Sequence, residues 1–176
     1  LLEIGNEYID KVNKISNNSS VVTDKLPINF KWLGFIKLIL PNSKIIHCTR
    51  NSKDNCFSIF KSFFPNKINF AFDIDEIVKF YNLYLDLMKH WNNCISADIY
   101  NVSYENIINY PEKETKKIIN ACDLEWDNKC LEFYNNKRPI KTASDTQARK
   151  KIYKSSLNSW KNYEKQLISH FKKLNA

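Results

Sequence analysis

The segment from Lys44 to Phe64 constrains the fold of this chain more than any other. It opens with a short β-prone run, Lys44–Thr49, which follows the breaker pair Pro41-Asn42. A polar turn from Arg50 to Lys53 comes next, and phenylalanines then recur at helical spacing. We therefore expect a buried strand, a turn and a helix that is capped by Asp54, with Arg50 at the carboxyl end of the strand.

Arg50 and Ser58 are the candidate anion ligands of this strand–turn–helix unit. Ser58 is expected about one turn into the helix, where unpaired backbone N–H groups and the helix dipole favour anions. A guanidinium can bind two phosphate oxygens at once. The unit therefore predicts a phosphate site, although an ordinary strand–loop–helix with a surface arginine would contain the same residue types.

The composition indicates one globular domain with a basic surface. The 176 residues are 43% hydrophobic and 14% aromatic, which is enough for a substantial core and argues against disorder. With only two glycines, the chain cannot contain a glycine-rich phosphate loop. The net charge of +8 suits an anionic ligand, a nucleic acid or an acidic peptide, but most lysines lie on apparent helix faces, where they confer solubility. Because the first residue is Leu rather than Met, we expect a fragment of a longer protein.

The cysteines and the hydropathy pattern bear on compartment and metal binding. The five cysteines form no CxxC pair, so we expect reduced, mostly buried thiols and a cytoplasmic protein. His90 and Cys94 are four residues apart on a predicted helix and could bind a metal, but they lack a second ligand pair, so zinc is not expected. No apolar run reaches the roughly 18 residues that a membrane span needs.

The remaining apolar spacing predicts an α/β chain. We expect helices over 1–15, 30–40, 73–91, 111–121 and 160–174, and short strands over 21–24 and 99–102. The aromatic stripe of the helix over 73–91 is interpreted as core packing.

Three segments, in this order, resemble PAPS-dependent sulfotransferases (PAPS is 3′-phosphoadenosine-5′-phosphosulfate). The similarity is to bacterial, often TPR-linked members and, more distantly, to tyrosylprotein sulfotransferases. The first segment is Thr23-Asp24-Lys25-x-Pro27-x-Asn29, and the second is Arg50 with Asp54 and Ser58 at the spacing of the family's 3′-phosphate segment. The third runs from Arg138 to Trp160, and its residues from Thr142 to Tyr153 resemble the family's Thr-Ala-Ser-x-x-Gln-x-Arg-x-Pro-Ile-Tyr, with Lys151 in place of the proline.

The resemblance implies roles for particular residues. Lys25 would neutralise charge on the bridging oxygen as the sulfuryl group leaves, and Ser144 would lie near that group. Tyr104 would approach the adenosine, since an aromatic ring with a hydroxyl can stack and hydrogen-bond. The implied nucleotide-binding residues are Arg50, Ser58, Tyr104, Gln147, Arg149, Lys150 and Lys154. We expect His47, in the strand before Arg50, to be structural.

The resemblance also implies a fold and a reaction. The fold would be a P-loop-like three-layer α/β sandwich with a parallel sheet flanked by helices. Residues 1–176 would form a single sulfotransferase domain fragment that lacks the N-terminal strand–loop–helix for the 5′-phosphosulfate and the family's general base. The family transfers a sulfuryl group from PAPS to a hydroxyl without a metal, which leaves adenosine 3′,5′-bisphosphate.

Several alternatives remain open at this point. The acceptor could be a protein tyrosine, a sugar, a lipid or a small molecule, a TPR region could belong to the full-length protein, and the fragment could be inactive alone. A P-loop-type small-molecule kinase shares the architecture but requires Gly-x-x-x-x-Gly-Lys-Ser/Thr. The other alternative is a non-catalytic basic domain that binds nucleic acid or acidic peptide, whereas the sulfotransferase interpretation predicts no nucleic-acid partner.

Overall fold

A computed structural model describes residues 1–17, 19–62, 64, 68–136 and 149–175. The α-helices are α1 (Leu2–Ser16), α2 (Leu33–Ile39), α3 (Ser52–Phe60), α4 (Ile74–Ile95), α5 (Tyr104–Asn109), α6 (Pro111–Ala121) and α7 (Glu164–Phe171). The strands are β1 (Ile45–Thr49) and β2 (Ile99–Ser103). Single 3₁₀ helices cover Pro27–Trp32, Asn69–Phe72, Ser96–Asp98, Asn128–Asn135 and Ser159–Tyr163.

The two strands form a parallel sheet whose carboxyl ends carry the candidate site. Ile45 pairs with Ile99 at one end of the ladder and Thr49 pairs with Ser103 at the other. Parallel neighbours need a long crossover, which α3 and α4 supply here. The described residues thus form a helix-rich α/β fold with a small parallel sheet, and the three-layer P-loop-like sandwich stays a prediction.

The strand expected over Val21–Asp24 is not formed. These residues pair with no strand of the described chain, and Val21 and Val22 are exposed. A β-prone segment becomes a strand only where a partner satisfies its backbone groups, and neither strand of the described chain pairs with this one.

Helix α4 is the central support of the fold. It begins at Ile74 because the Asp73 side chain accepts hydrogen bonds from the backbone N–H groups of Asp75 and Glu76, at 2.8 and 3.0 Å. Ile77 and Val78 on its inner face are almost completely buried. The prediction that its apolar stripe is core packing is confirmed.

Two clusters of buried side chains flank α4. The larger joins α3, α4 and the C-terminal segment through Cys56, Phe57, Ile74, Ile77, Val78, Tyr81, Trp160, Leu167 and Phe171. The smaller joins α2, α4 and β2 through Leu33, Met88 and Ile99. The larger cluster fixes α3 and the segment around Trp160 relative to each other, which matters for the site described below.

The expectation of mostly buried cysteines is wrong, although all five thiols are free. Only Cys56 is buried, and burial raises the pKa of its thiol to about 12. Cys48 and Cys94 are exposed.

Among the described helices, none combines the length and the apolar character that crossing a membrane would require.

Candidate anion-binding site

Arg50 and Tyr104 meet at the carboxyl end of the sheet. They follow the last paired residues of the ladder, Thr49 and Ser103, so the parallel register makes them neighbours. The Arg50 guanidinium lies over the Tyr104 ring, with its central carbon 4.8 Å from the ring centroid. Stacking of this kind orients the planar guanidinium while its N–H groups stay available at the edge.

A third part of the chain completes this arrangement. Arg50 Nη2 donates a hydrogen bond to the Ser156 carbonyl oxygen at 2.7 Å. The Tyr104 hydroxyl and the Ser156 Oγ are also 2.7 Å apart. The site is therefore built from both strand ends and the segment that precedes the last helices, although Ser156 lies 106 residues after Arg50.

Arg50 keeps hydrogen-bonding capacity that the protein does not use. Its Nε is buried and donates to no group of the described chain. An orphaned buried donor costs about 1–3 kcal/mol, more when it is charged. A guanidinium that carries such a donor beside an exposed segment is suited to receive an anion.

Glu105 holds the turn that carries Arg50. Its carboxylate accepts hydrogen bonds from the Asn51 backbone N–H at 2.8 Å and from the Ser103 hydroxyl at 2.9 Å. Burial alone would raise the pKa of the Glu105 carboxyl. The hydrogen bonds from Asn51, its own backbone N–H and Ser103, together with the Arg50 charge, outweigh burial and leave the pKa below its ordinary value. The ionised carboxylate thus ties the two strand ends together beside Arg50.

The cap of α3 is Asn51 rather than Asp54, which corrects our expectation. The Asn51 side chain accepts a hydrogen bond from the Asp54 backbone N–H at 3.2 Å, and the helix begins at Ser52. Ser58 is therefore the seventh helical residue and lies beyond the first four N–H groups, which alone lack intrahelical partners. The expectation that the N-terminal dipole of the helix supports Ser58 is wrong for this reason.

The structure does not join Ser58 to Arg50 directly. The Ser58 hydroxyl is half-buried and hydrogen-bonds to no residue of the described chain. Its carbonyl accepts from the Ser62 hydroxyl at 2.7 Å. A shared role of Ser58 and Arg50 in anion binding stays a prediction.

The other predicted site residues are placed as follows. Burial raises the pKa of the Cys48 thiol, and Lys25, which is exposed, lies close enough to β1 for its charge to oppose part of that increase. Lys150 and Lys154 are exposed, and Arg149 donates to the Asn136 carbonyl at 2.8 Å. Ser144 and Gln147 lie outside the described residues.

His47 lies on the sheet between two polar partners. Its Nδ1 is 2.7 Å from the Asn101 Oδ1 across the ladder, and its Nε2 is 2.6 Å from the Tyr84 hydroxyl. Both ring nitrogens are thus engaged by the fold, and the structural role expected of His47 stays a prediction.

No set of three or more His, Cys, Asp or Glu side chains converges as a metal site in the described parts of the chain. The His90 Nε2 and the Cys94 Sγ are 3.6 Å apart, as their spacing on α4 predicts.

Sequence reasoning missed three groups at or beside the site: Glu105, Ser156 and the carboxylate of Asp54, which is buried. The sequence showed the spacing of Asp54 from Arg50, but the hydrogen-bond partners of Asp54 lie far along the chain. Ser156 stands in an ordinary serine pair, and no local pattern distinguishes it.

The fold and the site define a helix-rich α/β protein with an arginine stacked on a tyrosine at the carboxyl end of a parallel sheet. The family model described as "Sulfotransferase family" matches residues 2–128, more than half of the chain. This chain belongs to the sulfotransferase family.

A relative from Aquifex aeolicus (strain VF5), described as an uncharacterized protein, is 39% identical over 163 residues. The match covers 91% of this chain and 21% of that protein. The chain thus spans about a fifth of the length of the relative that it matches.

Proposed function

We propose that this chain carries the 3′-phosphate-binding part of a sulfotransferase that uses PAPS as donor and a hydroxyl group as acceptor. The proposal rests on the surroundings of Arg50 in a chain that belongs to the sulfotransferase family. The Arg50 guanidinium is stacked on Tyr104 at the strand ends, and its buried Nε has no hydrogen-bond partner among the described residues. The 3′-phosphate of PAPS is the group that such an arginine would recognise.

The residues around Arg50 suit a nucleotide of this kind. The guanidinium edge would bind phosphate oxygens, with Ser58 as the second ligand and Lys154 as a further positive charge. Tyr104 would approach the adenosine through its ring and its hydroxyl. Gln147, Arg149 and Lys150 are proposed to close over the nucleotide.

The chemical step would rest on positioning and on charge stabilisation. Sulfuryl transfer by in-line displacement places developing negative charge on the bridging oxygen, as in phosphoryl transfer. Lys25 is proposed to neutralise that charge, and Ser144 is proposed to lie near the transferred group. The general base is not assigned to this chain, and the reaction needs no metal.

The proposal also covers the acceptor, the cellular location and the full-length protein. A protein tyrosine, a sugar, a lipid or a small molecule could be the acceptor, because the same fold accommodates different acceptors. A cytoplasmic location is proposed from the five free thiols. The 5′-phosphosulfate loop and a TPR region are proposed for the full-length protein.

Equilibrium binding of three nucleotides to the chain tests this function. We expect adenosine 3′,5′-bisphosphate to bind more tightly than adenosine 5′-monophosphate and ATP. Arg50→Ala should weaken the bisphosphate by roughly 10- to 100-fold, the effect of losing charge-assisted hydrogen bonds. Lys14→Ala removes the same charge from an exposed position in the last turn of α1 and should leave the affinity unchanged.

The rival functions give different results in the same experiment. A preference for ATP over the bisphosphate would favour a kinase. Steeply salt-dependent binding of nucleic acid that survives Arg50→Ala would favour a non-catalytic basic domain. Either result would overturn the proposed function.

A further inference from the structure

Asp54 is the one charged side chain that is buried in the described parts of the chain, with 2% of its surface exposed. Burial of a carboxylate is unfavourable unless hydrogen bonds replace its water. Asp54 accepts from the backbone N–H of Asn158 at 2.6 Å, from the backbone N–H of Trp160 at 3.2 Å and from the Ser159 hydroxyl at 3.3 Å. All three donors belong to one short segment, 104 to 106 residues later along the chain.

The backbone of that segment is shaped to meet the carboxylate. Asn158 adopts a left-handed conformation, with φ of 57° and ψ of 22°, immediately before the 3₁₀ helix Ser159–Tyr163. Asparagine tolerates this conformation better than most residues. Trp160 is then buried, and the Lys53 Nζ lies 4.6 Å from the centroid of its ring. The start of α3 and residues 158–160 are therefore joined by hydrogen bonds and by packing.

The same segment also holds Arg50. Two residues before Asn158, the Ser156 carbonyl accepts from Arg50 Nη2, and the Ser156 hydroxyl contacts Tyr104. Arg50 and Asp54 are four residues apart and thus bind neighbouring parts of one segment, which we call the 156–160 strap. Displacement of the strap would remove the hydrogen bond that orients the guanidinium.

We propose that Asp54 is a positioning residue of the anion site: it fixes the 156–160 strap, and the strap fixes the Arg50 guanidinium for the 3′-phosphate. This inference rests on the proposed function for the identity of the anion. A carboxylate that only stabilised the fold would affect unfolding, whereas a positioning residue also affects discrimination between nucleotides with and without a 3′-phosphate.

The test compares two affinities of the whole chain, for adenosine 3′,5′-bisphosphate and for adenosine 5′-monophosphate, by calorimetry. Asp54→Asn nearly preserves the side-chain volume but removes the charge. We expect the preference for the bisphosphate to fall by at least about fivefold in this variant. Ile77→Val, a conservative change in the core that leaves both the strap and Arg50 intact, should keep the preference of the wild type.

Ser159→Ala serves as a second variant in case Asp54→Asn does not fold. It keeps the carboxylate and removes only the hydroxyl donor of the strap, so we expect a smaller fall in the preference, about twofold. An unchanged preference in a folded Asp54→Asn protein would overturn the positioning role. If only Ser159→Ala folds, an unchanged preference there would do the same. Absence of the preference from the wild type would instead overturn the proposed function and this inference together.

Discussion

Single carboxylates and hydroxyls fix the turns on which the site depends. Glu105 is the clearest case, because its carboxylate bridges the Asn51 N–H and the Ser103 hydroxyl at adjoining strand ends. Hydrogen bonds to an ionised acceptor are stronger than neutral ones. The turn that presents Arg50 is thus held by a charge, and its stability should depend on pH.

We expect Glu105→Gln to destabilise the chain by about 1 kcal/mol at neutral pH. Because the pKa of Glu105 is lowered in the fold, its contribution is present above the ordinary value of 4.5 and is lost as the pH falls through the folded-state pKa. Urea unfolding of both proteins at pH 7 and at pH 3 measures this difference. If the two proteins differed in their free energy of unfolding by the same amount at both pH values, the prediction would be contradicted.

The contribution of Tyr8 to stability has the opposite pH dependence. Its hydroxyl donates to the Asp24 Oδ2 at 2.7 Å, and this hydrogen bond, followed by burial and the Asp24 charge, raises its pKa to about 12. The contribution of Tyr8 to stability is therefore present below pH 10 and is lost as the pH rises towards 12.

A spectroscopic titration of tyrosinate checks this prediction. In the Tyr8→Phe protein, one fewer tyrosine than in the wild type should ionise at the high-pH end of the titration. Tyr81, whose pKa is raised by burial, should titrate late in both proteins and serves as the internal control. Identical late titrations in the two proteins would show that the Tyr8–Asp24 bond does not form in solution.

Helix α1 packs on α2 through its one glycine. Gly5 is buried, and a Cβ added to it would overlap the Ile39 carbonyl oxygen. Glycine inside a helix costs about 1 kcal/mol relative to alanine, so intrinsic propensity alone would favour Gly5→Ala. The close approach to a backbone atom reverses that preference, because the carbonyl cannot move without moving α2.

Gly5→Ala is therefore expected to destabilise the chain and to loosen α1. Hydrogen exchange should become faster for the α1 amides than for those of α4. Lys11→Ala places alanine at an exposed position of the same helix and should change stability by no more than about 0.5 kcal/mol. A Gly5→Ala protein as stable as Lys11→Ala would mean that α1 does not dock on Ile39 as described.

The larger core cluster joins elements that are distant in sequence, from α3 through α4 to α7. Ile77 lies in this cluster and has no exposed surface. The cluster contains both Phe57 of α3 and Trp160 beside the strap, so it holds these two elements together.

We expect Ile77→Ala to lower the free energy of unfolding by about 2–5 kcal/mol, because it leaves a cavity in a core that cannot collapse fully. Urea denaturation measures the loss, with Ile77→Val as the graded control at about 0.5–1.5 kcal/mol. Equal effects of the two substitutions would show that this part of the core is loosely packed.

Many of the helices and strands could be predicted from the sequence. The strands over 45–49 and 99–103, the long helix α4 and the helix that Pro111 begins follow from apolar spacing and breakers, which are local properties. Trp160, the first residue of the helix expected over 160–174, is buried. The cap of α3 was misassigned because Asn51 and Asp54 are both good capping residues, and the local sequence does not rank them.

The order of helices and strands and the arginine directly after the first strand could be predicted locally, because both depend on residues close together in the chain. The folded arrangement was needed to show that Asp54 is buried, that Ser156 reaches Arg50 and Tyr104, and that Val21–Asp24 is not a strand. Those outcomes depend on partners brought together by packing across the whole chain, and no spacing along the sequence records such partners.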